Sequence, residues 1–275
     1  MAVFWCNGEW MEAGEFSLPP TDRGVILGLA LFETMLAVDG RPKFTGEHLA
    51  RWKQSCDRLG WAFPDIDLAG IGSELLRKNG LAPGRGRLRL TMTAGSGSIF
   101  DKAAGTDAKT WITATPVEIP PKSIEAMVSP WKRNASSPLA GLKTASYAEN
   151  ILALDHARDA GFGETIFFNT EGRLCEAATS NVFLVRGKQI LTPSLESGCL
   201  PGVARSVVIR LIRSSGRECL ETPLEEMDLG NADEIFLTSA IRGPVPVSRL
   251  DDRKFHATPT ADSIRARWMD EICRP

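Results

Sequence analysis

Two side chains define the chemistry that can be asked of this chain. Lys143 stands in Gly141-Leu142-Lys143-Thr144-Ala145-Ser146-Tyr147-Ala148-Glu149-Asn150, and Glu176 opens Glu176-Ala177-Ala178-Thr179-Ser180-Asn181-Val182-Phe183. A lysine amine condenses with an aldehyde to a Schiff base, and a carboxylate beside a pyridine nitrogen keeps that nitrogen protonated. A lysine with this task must lose part of its basicity, which partial desolvation beside a cationic group achieves. Alone, the pairing is a weak signal, because lysines are mostly solvated and glutamates mostly lie on surfaces.

The elements that must position these residues follow from spacing. Ile151, Leu152, Leu154 and Ala157 recur at helical intervals until Gly161, so Lys143 is expected at a helix entry. Tyr147, the only tyrosine, would then lie one turn further on the same face; a packing aromatic with a wet tip is the plainer reading. Glu164–Asn169 reads as a strand and Thr170-Glu171-Gly172-Arg173 as a turn, which puts Glu176 on the far side of a hairpin.

Upstream, Asn7-Gly8 between Val3–Cys6 and Glu9-Trp10 is a strong hairpin signal. A loop at Thr21-Asp22-Arg23-Gly24 precedes apolar residues from Val25 to Val38, and Asp39-Gly40 turns the chain into a strand reaching Phe44. Thr45 is expected to cap a helix with Leu49, Trp52, Cys56 and Leu59 on one face. His48 and Arg51 fall off that stripe, so the pattern alone makes Arg51 a solvated helix charge. A second helix is expected over Leu68–Lys78. In the strand that follows, Arg85, Arg87 and Arg89 alternate with Leu88, Leu90 and Met92, giving either a solvated arginine face or an anion pocket. Gly95-Ser96-Gly97-Ser98 lacks the strand–turn–helix context of a nucleotide loop. Thr110–Thr115 reads as a strand, and Pro116, Pro120 and Pro121 stiffen a linker.

Beyond the linker, Ala126–Trp131, Gln189–Thr192, Ile235–Thr238 and Pro244–Val247 read as strands. Ala204–Ser215 reads as a helix with Val207, Val208, Leu211 and Ile212 inward, and Asp262–Ile272 as a terminal helix. Strands mixed with helices without a regular βαβ rhythm indicate an α+β fold.

Composition narrows the function classes. The chain has 275 residues, 43% of them hydrophobic, enough for one large or two modest cores. A formal charge of −2 gives no global basic field for nucleic acid. Cys6, Cys56, Cys175, Cys199, Cys219 and Cys273 are scattered without a close C-x-x-C pair, which argues for reduced thiols and a cytoplasmic location. His48, His156 and His256 lack metal-ligand spacing, and no G-x-S-x-G elbow is present. The acidic and aromatic N-terminus is unlike a signal peptide, and no apolar run approaches the ~20 residues of a membrane span.

Five blocks, in order, resemble the class IV aminotransferases, the pyridoxal 5'-phosphate (PLP) enzymes of fold type IV. They are Phe32-Glu33-Thr34-Met35 with Glu47-His48-Leu49-Ala50-Arg51, the Lys143 segment, the Glu176–Phe183 segment, Gly198-Cys199-Leu200-Pro201-Gly202-Val203-Ala204-Arg205, and Phe236-Leu237-Thr238-Ser239-Ala240-Ile241-Arg242-Gly243. The resemblance implies a two-domain α+β enzyme. Residues 1–118 would form a smaller domain and 119–275 a larger one carrying the PLP lysine, with the active site between the domains and a homodimer as the assembly.

Residue roles implied by the resemblance are these. Lys143 holds PLP as a Schiff base and moves the Cα proton, Glu176 pairs with the pyridine nitrogen, and Tyr147 contacts the ring oxygen. Arg51 and the amides of Val203 and Ala204 bind the phosphate, helped by Thr238 or Ser239, and Leu200 packs on the ring. Ala204 stands where many relatives carry a threonine, so one hydroxyl is missing there. Thr34 resembles a proton-relay threonine of 4-amino-4-deoxychorismate lyase. Leu36 replaces an arginine common after the Phe-Glu block, leaving Arg242, Arg89 or Arg87 as substitutes for the substrate carboxylate. The expected reaction is amino-group transfer between an amino acid and a 2-oxo acid. The alternatives are the lyase reaction, pyruvate elimination to 4-aminobenzoate, and a non-catalytic PLP-binding member.

Overall fold

A computed structural model describes residues 2–274, which divide into two compact units. The first comprises the chain up to Ile119 together with Leu142–Ser146, and the second comprises Pro120–Gly141 and the chain from Tyr147 onward.

The first unit is a six-stranded antiparallel sheet in the order Glu9–Glu12, Val3–Cys6, Thr110–Pro116, Arg85–Thr93, Ala30–Val38, Arg41–Pro42. Asn7 and Gly8 take φ of 46° and 99°, the left-handed pair that a tight hairpin needs. Helices Thr45–Leu59 and Leu68–Lys78 belong to the same core as the sheet, burying Trp52, Cys56, Leu75 and Leu76 with Leu31, Met35, Leu88 and Leu90. Thr45 is not the cap of its helix. Phe44 occupies that position at φ 57° without a side-chain capping hydrogen bond, and Thr45 is the first helical residue. The Thr21–Gly24 region contains more than a loop. Asp22 accepts from the Gly24 N–H at 2.6 Å and starts a single turn, Arg23–Ile26. The buried Arg23 then donates to the carbonyls of Ala94, Asp101 and Ala103 at 2.7–2.9 Å, pinning the glycine-rich loop.

The lysine segment departs from expectation. Helix Ala148–Asp159 begins well after Lys143, which lies in irregular chain. Leu31 and Thr144 form a β-bridge, the Phe32 N–H donates to the Lys143 carbonyl at 3.0 Å, and the Ala145 N–H donates to Ala30 at 2.8 Å. This pairing on the open edge of Ala30–Val38 groups Leu142–Ser146 with the first unit rather than with the C-terminal domain. Without a continuous helix from residue 143, the one-turn argument linking Lys143 to Tyr147 does not hold.

The second unit is built on a mixed nine-stranded sheet. Its main path runs Cys219–Thr222, Gln189–Pro193, Asn181–Arg186, Glu234–Ser239, Gly243–Leu250, Ile124–Val128, Glu164–Phe168, Leu174–Ala177. Helix Ala148–Asp159 buries Ala153, Leu154 and Ala157, whereas Ile151 and Leu152 are 46% and 66% exposed, so the inward face is rotated from the expected one. In helix Val203–Ser214, Ile209 is covered and Leu211 only half-buried. The Glu234 carboxylate accepts the Thr260 and Ala261 N–H groups, both at 3.0 Å, and so holds the start of helix Pro259–Cys273. Among the described residues no helix is long and apolar enough to cross a membrane.

Gly243 begins its strand at φ 64°, and a Cβ there would stand 2.3 Å from Nε1 of the buried Trp268. Gly243→Ala combines a disfavoured backbone with a clash against a packed ring. It is expected to cost about 2 kcal/mol or more of stability, read as a lowered midpoint in urea with an unchanged slope.

Candidate active site

In the first unit, Lys143 and Arg89 meet over one ring. The Lys143 Nζ lies 4.3 Å from the centroid of Phe32, and the Arg89 guanidinium carbon lies 3.9 Å from the same centroid. Such contacts are each worth about 0.5–2 kcal/mol and hold both cations near one place. Strand alternation puts Phe32, Thr34 and Leu36 on one sheet face, with Thr34 paired to Arg89 and Leu36 to Arg87. The hydroxyl of Thr34 and the charge of Arg89 therefore share a face. Leu36 is 1% exposed, and Arg87 donates to Thr115 at 3.0 Å.

Arg51 belongs to the opposite face. Its Nε donates to Glu33 Oε1 at 2.8 Å and its Nη2 to Oε2 at 2.5 Å, while His48 Nδ1 is 2.7 Å from Oε2. Side-chain exposures of 1–8% across the three residues correct the reading of Arg51 as a solvated charge. The hydrophobic stripe misplaced His48 and Arg51 because their buried partner is an acid on a strand. Burial would push the Glu33 carboxyl up, but the Arg51 charge and the His48 hydrogen bond outweigh it and hold the group at about 2. Burial lowers the affinity of His48 for a proton, against the pull of Glu33 and aided by the charges of Arg51 and Lys143. Neutral His48 donates from Nδ1, and its Nε2 is buried without a partner.

In the second unit, Glu176 leaves strand Leu174–Ala177 half-buried and accepts the Leu200 N–H at 3.0 Å on Oε2. Arg133, stacked 4.5 Å over Phe167 and bonded to Glu149, brings its Nε to 3.7 Å from Glu176 Oε1. Asn181 donates to the Leu200 carbonyl at 2.8 Å, which fixes that residue from both sides. Gly202 is the N-cap of helix Val203–Ser214 and provides no side-chain cap, so the first-turn amides of Val203 and Ala204 form an uncapped helix start. A Cβ on Gly202 would fall 2.0 Å from Asn181 Oδ1. Thr238, directly across the sheet from Asn181, carries a buried hydroxyl without a partner.

The other expected residues of this unit have defined partners. Tyr147 precedes its helix and donates its hydroxyl to the Ala178 carbonyl at 2.9 Å, so toward a ligand that oxygen can only accept. Ser239 accepts the Arg242 N–H at 3.3 Å. Arg242 donates through Nη2 to Glu164, Thr179 and Ser180 at 2.6–2.9 Å, which ties it into the fold beside a buried carboxylate. Sequence reasoning gave no role to Glu33, His48, Asn181 or Arg133. The first three stand inside motifs it quoted; Arg133 carries no local signal.

These groups fit PLP in kind. An unpartnered hydroxyl beside an uncapped helix start suits a phosphate. A backbone-held carboxylate suits a protonated ring nitrogen, and a lysine suits an aldehyde.

The paired shifts of Glu33 and His48 give a stability window. Unfolded His48 takes up a proton near 6.5 more readily than folded His48, so stability falls as pH drops below that value. The Glu33 contribution is complete above 4.5 and is lost as pH falls toward about 2. His48→Gln is expected to flatten the loss between pH 7 and 5, and Glu33→Gln the loss below 4.5, in urea unfolding against pH.

Residues 30–250 match the family model for amino-transferase class IV. Aminodeoxychorismate lyase of Bacillus subtilis (strain 168) is 29% identical over 259 residues, covering 91% of this chain and 87% of that one. The branched-chain aminotransferase of Thermoproteus uzoniensis, solved with norvaline, superposes with a TM-score of 0.91 at 25% identity, covering 98% of this chain and 94% of that one. A hypothetical aminotransferase of Mycobacterium tuberculosis in its PLP-bound form has a TM-score of 0.88 at 26% identity and covers 99% of both chains. With a match extending over most of its length, and the two-sheet fold of those structures, the chain belongs to the class IV aminotransferase family.

Proposed function

We propose that this protein is a PLP-dependent enzyme that transfers an amino group between an amino acid and a 2-oxo acid. The observation that carries the reading is the second-unit cradle, where the Thr238 hydroxyl lies across from Asn181 beside the uncapped Val203–Ala204 helix start. The cofactor supplies an electron sink for the pair left at Cα when a proton departs. Lys143 is the residue assigned to bind it covalently and then, as a free amine, to carry that proton. Arg89 over Phe32 gives the amine a cationic neighbour. Glu176, held by the Leu200 N–H, presents a fixed carboxylate for the ring nitrogen. The Val203 and Ala204 N–H groups and the Thr238 hydroxyl would hold the phosphate, with Ser239 beside them, and Leu200 would lie against the ring; Arg51 is the charge that the family resemblance assigns to the phosphate. Thr238 offers the hydroxyl that Ala204 lacks. Arg89, on the face of Thr34, is the best-placed of the three arginines for a substrate carboxylate, since Arg242 already serves Glu164.

The lyase reading has support of its own. It rests on likeness to the Bacillus subtilis aminodeoxychorismate lyase and on Thr34, whose hydroxyl shares a sheet face with Arg89. The two reactions separate in one assay. Amino-group transfer consumes a 2-oxo acid acceptor, whereas elimination releases pyruvate from aminodeoxychorismate with no acceptor present.

Borohydride reduction of the holoenzyme is expected to fix PLP on one lysine, and peptide mapping to find it between Gly141 and Tyr147. Lys143→Ala should lose nearly all turnover yet retain PLP by dialysis; label on Lys122, Lys132 or Lys188 would overturn the assignment. Glu176→Gln keeps shape while losing charge. Its turnover is expected to fall about 100-fold or more, with PLP affinity changed far less, because the charge matters most in the transition state. Equal losses in the two measurements would make Glu176 structural only.

A further inference from the structure

Glu33 places a carboxylate where packing alone asks for an apolar residue. It lies on the helix-facing side of Ala30–Val38, between the fully buried Leu31 and Met35. A buried ion pair seldom outperforms apolar residues of the same volume in stability, so folding alone does not account for it. The contact is specific in geometry. Glu33 grips the side edge of the Arg51 guanidinium through Nε and Nη2, at 2.8 and 2.5 Å. A bidentate fork fixes the plane of the guanidinium and turns its Nη1 end away from the carboxylate. His48, on the same helix, holds Oε2 from a second direction at 2.7 Å, so the carboxylate itself cannot swing. Arg51, at 8%, is the most exposed of the three side chains.

Resting on the cofactor reading above, we infer that Glu33 is the positioning residue for Arg51. It aims the guanidinium at the PLP phosphate, with His48 as its brace. The carboxylate also offsets part of the Arg51 charge, which by itself would weaken anion binding. Orientation and neutralisation therefore predict opposite effects when Glu33 loses its charge.

The test titrates apoenzyme with PLP and with pyridoxal, which has no phosphate. It compares the parent, Arg51→Ala, Glu33→Gln and the double variant. Arg51→Ala is expected to weaken PLP binding by about 10- to 100-fold and Glu33→Gln by about 10-fold. The double variant should be no weaker than Arg51→Ala alone, and pyridoxal binding should be unchanged throughout. Glu33→Asp, which keeps the charge on a shorter arm, should give a smaller PLP-specific loss and serves if the glutamine variant does not fold. Unchanged or tighter PLP binding in Glu33→Gln would overturn the inference, as would an equal loss for pyridoxal. If Arg51→Ala retains PLP as tightly as the parent, the phosphate role of Arg51 falls and the inference with it. Failure of the wider cofactor reading appears separately, as no borohydride-fixed PLP on the parent enzyme.

Discussion

The placement of Lys143 depends on a short piece of backbone pairing. Ala30, Leu31 and Phe32 take up the Lys143–Ala145 backbone along their open edge, through two N–H···O bonds and the Leu31–Thr144 bridge. The same strand then provides the ring over which the lysine amine sits. Irregular chain between Gly141 and Ala148 has no helical ladder of its own to satisfy its polar groups. Borrowing a strand edge meets that need and fixes Lys143 at the same time. Strand Ala30–Val38 thereby serves two purposes. One face carries Phe32 and Thr34, and the other carries Glu33 into the helix-facing core.

In the second unit, polar side chains and backbone groups hold one another in sequence. Glu176 is held by the Leu200 amide, Leu200 is held by Asn181, and Asn181 leaves no room for a side chain at residue 202. Each contact fixes the next, from the carboxylate to the start of the Val203 helix. Donors fixed in this way need little reorganisation when charge arrives, which is the condition for electrostatic stabilisation of a bound anion or a developing charge.

Three arginines carry their charge in different settings. Arg51 is paired with a buried acid that offsets part of its charge, and Arg242 is secured to Glu164, Thr179 and Ser180. Arg89 instead lies over an aromatic face beside the lysine. Three arginines that look equivalent as residue types thus have separate physical duties, one set by a strand acid, one by a loop network and one by a ring.

Much of the architecture was legible in the sequence. Asn7-Gly8 requires left-handed backbone, Leu68–Lys78 alternates at helical spacing, and Glu164–Phe168 followed by a turn at Gly172 makes a hairpin; each is a local preference, and each appears. The motifs around Arg51, Lys143, Glu176, Val203 and Thr238 also identified the family, because their order along the chain is itself sequence information. Only the tertiary structure decided which partners those residues have. The burial of Arg51 depends on an acid from a strand, the non-helical setting of Lys143 on a distant edge, and the rotated face of helix Ala148–Asp159 on Phe167 and Ala178 beneath it. These are contacts between residues far apart in the chain. Their energies enter only when the sheets have formed, so no local period or capping preference encodes them.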